Sequence, residues 1–242
     1  MTLPVPLDLS HRCRLPEIMD QPGLDPAEHV AALRGLGRIN TISRTASAVW
    51  NAIEPLAREA AARGETLRVL DVATGGGDVP IRLARRAAHA GLALEVAGCD
   101  RSEEALRFAA ENAHASRVSA RFFTHDALAG PLPEGFDVVT CTLFLHHLDE
   151  NEATTVLARM AAAAARLVVA DDLIRNRLGH LLAWVGCHVL STSRVVHYDG
   201  PLSVRSAFTL DEIERVASRA GLEGATLTRH WPQRFLLCWR RR

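Results

Sequence analysis

The sequence predicts an α/β fold, a doubly wound parallel sheet with helices on both faces. Three observations predict it. Short apolar runs alternate with helical stretches of about ten residues or more between Leu67 and Ala170. Those runs are continuously apolar, as strands buried on both faces are. A glycine cluster, Gly75, Gly76 and Gly77, follows the first run, where a parallel strand turns into a helix.

Residues 1–25 are proline-rich and aperiodic and read as an arm. Asp25-Pro26 has the form of an N-cap followed by proline at the first helical position. Two short helices follow, to about Arg63, with Pro55 near a start or kink of the second. Strands are expected at 67–73, 94–99, 117–124, 136–142 and 167–170. Helices are expected at 81–90, at 102–113 with Ser102 as N-cap, and at 150–166. Residues 173–208 break the rhythm and read as an insertion with an apolar helix at 178–190. An amphipathic helix at 211–220, closed by Gly221, precedes a terminal antiparallel pair at 225–228 and 235–239. The expected organisation is an arm and helical cover over 1–64, then a main domain over 65–242 carrying 173–208 as a lid.

Composition narrows the function. With 242 residues, 48% hydrophobic and 23% charged, the chain can bury a sizeable core, which excludes disorder, collagen and coiled coil. The 28 basic and 28 acidic residues cancel, so no global positive field draws the chain to nucleic acid or an anionic membrane. The partner is expected to be a small molecule. Cys13, Cys99, Cys141, Cys187 and Cys238 show no CxxC spacing, so reduced thiols in the cytoplasm are expected rather than a zinc site or disulfide framework. The N-terminal residues lack the pattern of a signal peptide. The 178–190 run is interrupted by His180 and His188 and is too short to span a bilayer, so no membrane insertion is expected.

The most informative stretch is 69–84, VLDVATGGGDVPIRLA. Asp71 lies inside the strand, and the glycines let the turn take positive φ and approach a ligand closely. A dinucleotide fingerprint needs a third glycine where Pro80 stands, and a P-loop needs a Gly-Lys-Ser/Thr that is absent. Asp78 has the wrong charge beside a phosphate but is tolerable beside a ligand carrying cationic groups. S-adenosylmethionine, with a sulfonium and an ammonium, is such a ligand. Asp100 ends the second strand, where a carboxylate can accept both ribose hydroxyls. Asp126 can accept the adenine amine while Ala127 sandwiches the ring. Phe136-Asp137-Val138-Val139 then starts the fourth strand.

Together these residues resemble the class I S-adenosylmethionine-dependent methyltransferase family, over roughly residues 65–172. The family's commonest form has a further glycine where Ala73 stands. Ile39-Asn40, Ile42-Ser43 and Trp50, with the DVATGGGD run, are similar to its ubiquinone/menaquinone-biosynthesis group. The resemblance implies a Rossmann-like sheet. It also implies a cofactor site built from Asp71, Ala73, Gly75, Gly77, Asp100, Arg101, Asp126, Ala127 and Thr142.

Methyl transfer is an in-line displacement, so the protein mainly aligns groups and excludes water. A hydroxyl acceptor must also lose a proton to a base. The fourth strand runs into TLFLHHL at 142–148, beside the expected methyl position. Phe144 can wall the acceptor pocket. His146, where ubiquinone-type enzymes carry an arginine, is the first candidate base, and His147 should point elsewhere. Adjacent histidines chelate one ion poorly and HExxH is absent, so no metal is expected. Asp171 and Asp172 end the fifth strand; either could orient a histidine, bind an acceptor hydroxyl or cap a helix, and Asp171 is the acceptor-binding candidate. The insertion offers Arg194 and Tyr198 to the acceptor and His197 as second candidate base. Its apolar helix, with Trp184, reads either as a lid over a hydrophobic aromatic acceptor or as a homodimer face. Arg240, Arg241 and Arg242 read as a solvated tail. The expected function is O-methylation of a small hydroxylated aromatic or polyketide-like metabolite. C-methylation of a quinone precursor stays open, as does a non-catalytic cofactor-binding scaffold, with a dehydrogenase further behind.

Overall fold

A computed structural model describes residues 8–21 and 23–241. The sheet has seven strands: β1 (Leu67–Val72), β2 (Leu94–Asp100), β3 (Ala120–Thr124), β4 (Phe136–Thr142), β5 (Ala164–Leu173), β6 (Thr226–His230) and β7 (Arg234–Arg240). Their order is β3-β2-β1-β4-β5-β7-β6. The first five strands run parallel, and β7 lies antiparallel between β5 and β6. The order reverses between β1 and β4, so their carboxyl ends open a crevice there, the usual ligand position in such sheets.

The helices are α1 (Pro26–Ile42), α2 (Thr45–Ala62), α3 (Asp78–His89), α4 (Glu103–Ala115), α5 (Glu150–Ala163), α6 (Arg177–Leu190), α7 (Arg194–Ser206) and α8 (Leu210–Arg219). Their starts are written in side chains. Asp25 accepts the amides of Ala27 and Glu28, and Ser102 accepts that of Ala105. Asp149 with Glu152, and Thr209 with Glu212, form reciprocal capping boxes. Pro55 sits inside α2, which runs on through it rather than starting there. α5 ends earlier than its alanine run predicts. Residues 164–166 pair into β5 instead, because sheet pairing outweighs alanine's helix preference.

Alternation along the strands feeds two cores. Leu70, Val139, Cys141 and Val168 face Val156, Leu157 and Met160 of α5 and Ile213 of α8. Val69, Val96, Val138 and Val169 face Val49 and Ile53 of α2 and Leu83 of α3. Each such fully buried side chain contributes about 1.5–3 kcal/mol. The expected insertion is a helical pair, α6 and α7, that packs against α1. Among the described residues no helix is long and apolar enough to cross a membrane.

Candidate active site

The crevice is a cavity of about 1070 Å³ over the carboxyl ends of the parallel strands. One wall is the turn after β1, where Ala73 and Gly75 both take positive φ, +53° and +52°. A Cβ built at Gly75 would meet only Leu33, at 3.9 Å, so the backbone is open to the cavity. Gly77 has a different reason to be glycine: at φ +73° its Cβ would stand 2.9 Å from the Ala109 Cβ. It lets the turn pack on α4 and lies outside the cavity lining.

Asp100 is held by two backbone donors, Gly75 N–H at 2.8 Å and Ser102 N–H at 2.9 Å. Both bonds orient the carboxylate at the cavity wall. Arg101, Asp126, Ala127, Thr142 and Phe144 also line it. His125, between the two acids, has a buried Nε2 with no hydrogen-bond partner among the described residues. A buried orphan polar atom is costly unless a ligand pairs it. Two acids, an unpaired imidazole nitrogen and the apolar Ala127 and Leu128 suit a nucleoside with ribose hydroxyls. Asp78 follows the glycines into the cavity lining, and the arginines of α3, Arg82, Arg85 and Arg86, lie off that lining, which argues against a pyrophosphate. The donor set therefore fits an adenosyl sulfonium compound.

Asp71 does not reach the cavity. Register places it opposite Thr140, and the Thr140 and Thr74 hydroxyls donate to it at 2.6 and 2.8 Å. Its work is to fix Thr74 at the turn. Burial, outweighing those two hydrogen bonds, pushes its carboxyl up to about 7 from the ordinary 3.8. Folding thus favours the protonated form, so Asp71 supports the native state most below about pH 4, and that contribution is lost as pH rises toward 7. Asp71→Asn, which keeps a neutral hydrogen-bonding group, should match the parent near pH 4. It should exceed it at pH 8 by on the order of 2 kcal/mol in chemical denaturation.

The opposite wall holds His146, in a tight helical turn over Leu145–His147 after β4. Leu143, at φ +54°, starts this turn and donates its N–H to the Asp171 carbonyl at 2.8 Å. His146 is buried. Its Nδ1 lies 2.7 Å from Asp172 Oδ1, and its backbone N–H donates to Asp172 Oδ2 at 3.1 Å. Burial pushes the Asp172 carboxyl up, but the His146 charge and hydrogen bonds outweigh it and hold the carboxyl below its ordinary value. The His146 ring packs on His147, centroids 4.2 Å apart, and Phe144 lies 6.4 Å from His147.

The arm completes this wall. Arg12 donates to the carbonyls of His146, Leu148 and Ser206 and lies 3.6 Å over the Phe208 ring. Glu17, nearly buried, accepts from Ser203 Oγ at 2.6 Å. Its carboxylate stands 3.8 Å from His146 Nε2 and 4.0 Å from His147 Nε2. Glu17, His125 and Thr74 are cavity residues the sequence reading missed.

Four other candidates lie off the cavity lining. Asp171 is committed to His230 Nε2 at 2.5 Å and to buried Arg234 at 3.5 Å. Arg234 in turn donates to Asn40, which donates to Asp78, a chain that ties α1 and α3 to the sheet. His197 pairs through Nε2 with the Ser191 carbonyl and stacks on His188, and Arg194 and Tyr198 are exposed. On α7, Val195, Val196, Asp199, Leu202 and Ser203 take the inward positions. That helical spacing turns residues 194, 197 and 198 outward.

Residues 69–166 match the family model described as a methyltransferase domain. A demethylmenaquinone methyltransferase of Thermus thermophilus is 41% identical over 106 residues, covering 43% of this chain and 46% of that protein. The chain thus matches about half the length of its first curated relatives. An uncharacterized methyltransferase of Mycobacterium bovis is 30% identical over 180 residues, covering 71% of this chain and 86% of the relative. Magnesium protoporphyrin IX methyltransferase of Synechocystis, solved with S-adenosylhomocysteine bound, shares the fold. Its TM-score is 0.54 at 19% identity, covering 83% of this chain and 85% of that one. With a glycine turn and the two acids Asp100 and Asp126 lining one crevice at the sheet edge, the chain belongs to the class I S-adenosylmethionine-dependent methyltransferase family.

Proposed function

We propose that this protein methylates the hydroxyl oxygen of a small hydroxylated aromatic acceptor. The observation that carries the reading is the buried His146–Asp172 pair in the cavity lining, whose second imidazole nitrogen stands 3.8 Å from Glu17. Asp172 accepts the Nδ1 proton, which leaves the Nε2 lone pair to take a proton from an acceptor hydroxyl. Glu17 stands close enough to that nitrogen, at 3.8 Å, for one hydroxyl beside the pair to contact both. The rings of Phe144 and His146, tilted 35° and 33° to that of His147, give with it an aromatic wall for an aromatic acceptor. Asp100, Asp126 and His125 would hold S-adenosylmethionine, which when bound supplies an activated methyl group and a neutral thioether leaving group. The arm and α1 cover the crevice and keep water from the reacting atoms. The five cysteines are free thiols, which supports a reducing, cytoplasmic setting.

Glu17→Gln keeps a hydrogen-bonding side chain and removes a negative charge beside His146 Nε2. Asp172, His147 and the arm's Arg12 and Arg14 stay in place. With that charge gone from beside Nε2, methyl transfer should slow by roughly tenfold while S-adenosylhomocysteine affinity is kept. An unchanged rate means that Glu17 does not act on the base.

Transfer to carbon of a quinone precursor is the second reading, supported by the likeness to the demethylmenaquinone enzyme. Incubation with a ¹³C-methyl-labelled cofactor and a panel of phenols and quinols separates the two by carbon NMR. Enrichment in the methoxy region supports the oxygen reading, and enrichment as a ring methyl overturns it.

A further inference from the structure

We infer that the outer face of α6, together with the apolar rim of the cavity mouth, is a docking surface for an anionic lipid bilayer. Among the described residues nine large apolar side chains are exposed, and five of them are on α6: Leu178, Leu181, Trp184, Val185 and Val189, between 41% and 75% exposed. A turn of 3.6 residues brings these five onto one side of the helix. The other side, through Leu182, Ala183 and Gly186, walls the cavity. Scattered exposed apolar residues are ordinary, but a contiguous stripe marks an interaction surface.

Three observations select the bilayer. First, residues 173–198 contain no Asp or Glu, whereas Arg177 and Arg194 are exposed at the starts of α6 and α7. An apolar stripe with arginines and no carboxylates complements an anionic surface. Second, a two-fold pairing of this face with its own copy would bring the same arginines toward each other, against like-charge repulsion. Third, the stripe continues into the mouth. Ile42, Val185 and Trp231 are all more than two-fifths exposed and also line the cavity. A lipophilic molecule can therefore pass from the bilayer into the cavity without crossing bulk water. Trp184 and Trp231 suit the interface, where indole rings settle at headgroup level. The zero net charge of the chain is no obstacle, because attraction to the bilayer is local and decays within a Debye length.

The test is flotation of the full chain with phosphatidylcholine vesicles, with and without phosphatidylglycerol, and without any acceptor. It is therefore independent of the oxygen-methylation reading. The parent should float with the phosphatidylglycerol vesicles, and added salt should weaken binding. The double variant L181E/W184E should lose binding by roughly tenfold or more, and R177E/R194E should lose the preference for anionic vesicles. Leu181 and Trp184 do not line the cavity, so unchanged calorimetric affinity for S-adenosylhomocysteine shows that the variant is folded. Three results overturn the inference: no flotation of the parent, equal flotation of folded L181E/W184E, or a concentration-dependent parent dimer that L181E/W184E abolishes.

Discussion

Asp172→Asn should slow methyl transfer by roughly 100-fold or more while leaving S-adenosylhomocysteine affinity nearly unchanged. Asp172 accepts both the ring Nδ1–H and the backbone N–H of His146. An amide can still accept one of these, but its NH₂ favours the tautomer that puts the imidazole proton on Nε2, facing the cavity. The base would then be occupied before the acceptor arrives. His146→Ala should cost a similar factor. The two losses should not add, because each destroys the same unit. A rate unaffected by His146→Ala removes the base assignment, since His197 faces away on α7 and cannot replace it.

Asp100→Ala should weaken the cofactor product by roughly 100-fold in calorimetry. Two effects combine. The ribose hydroxyls lose charge-assisted acceptors, and the Gly75 and Ser102 amides lose the carboxylate that fixes the turn. Asp100→Asn separates them, because it can still accept an amide while losing the charge, and should fall between the parent and alanine. Unchanged affinity in Asp100→Ala would remove Asp100 from the site.

The alternation of strands and helices and most helix starts were legible because they rest on local chemistry. Apolar runs, Ser102, Asp25-Pro26 and the glycine turn each speak within a few residues. The gathering of Ala73, Asp100 and Asp126 at one crevice follows from the same rule, since parallel strands deliver their carboxyl ends to one edge wherever they lie in the chain. What stayed hidden depends on register and docking. Asp71 reads as a ligand acid until β1–β4 pairing sets Thr140 beside it. Asp171 and Asp172 are indistinguishable in sequence, yet strand alternation sends one to Arg234 and the other to His146. Glu17 lies in an aperiodic arm, with no pattern to announce that Arg12 and Ser203 pin it over the site. The outward turn of Arg194, His197 and Tyr198 could have been seen, because the apolar spacing of α7 already encodes it.

The most direct measurement is a calorimetric titration of the purified chain with S-adenosylhomocysteine. Saturable heat at one site per chain is expected, with affinity about 100-fold weaker in Asp100→Ala and kept in Asp172→Asn. A parent protein that takes up the compound without heat or saturation would contradict that expectation.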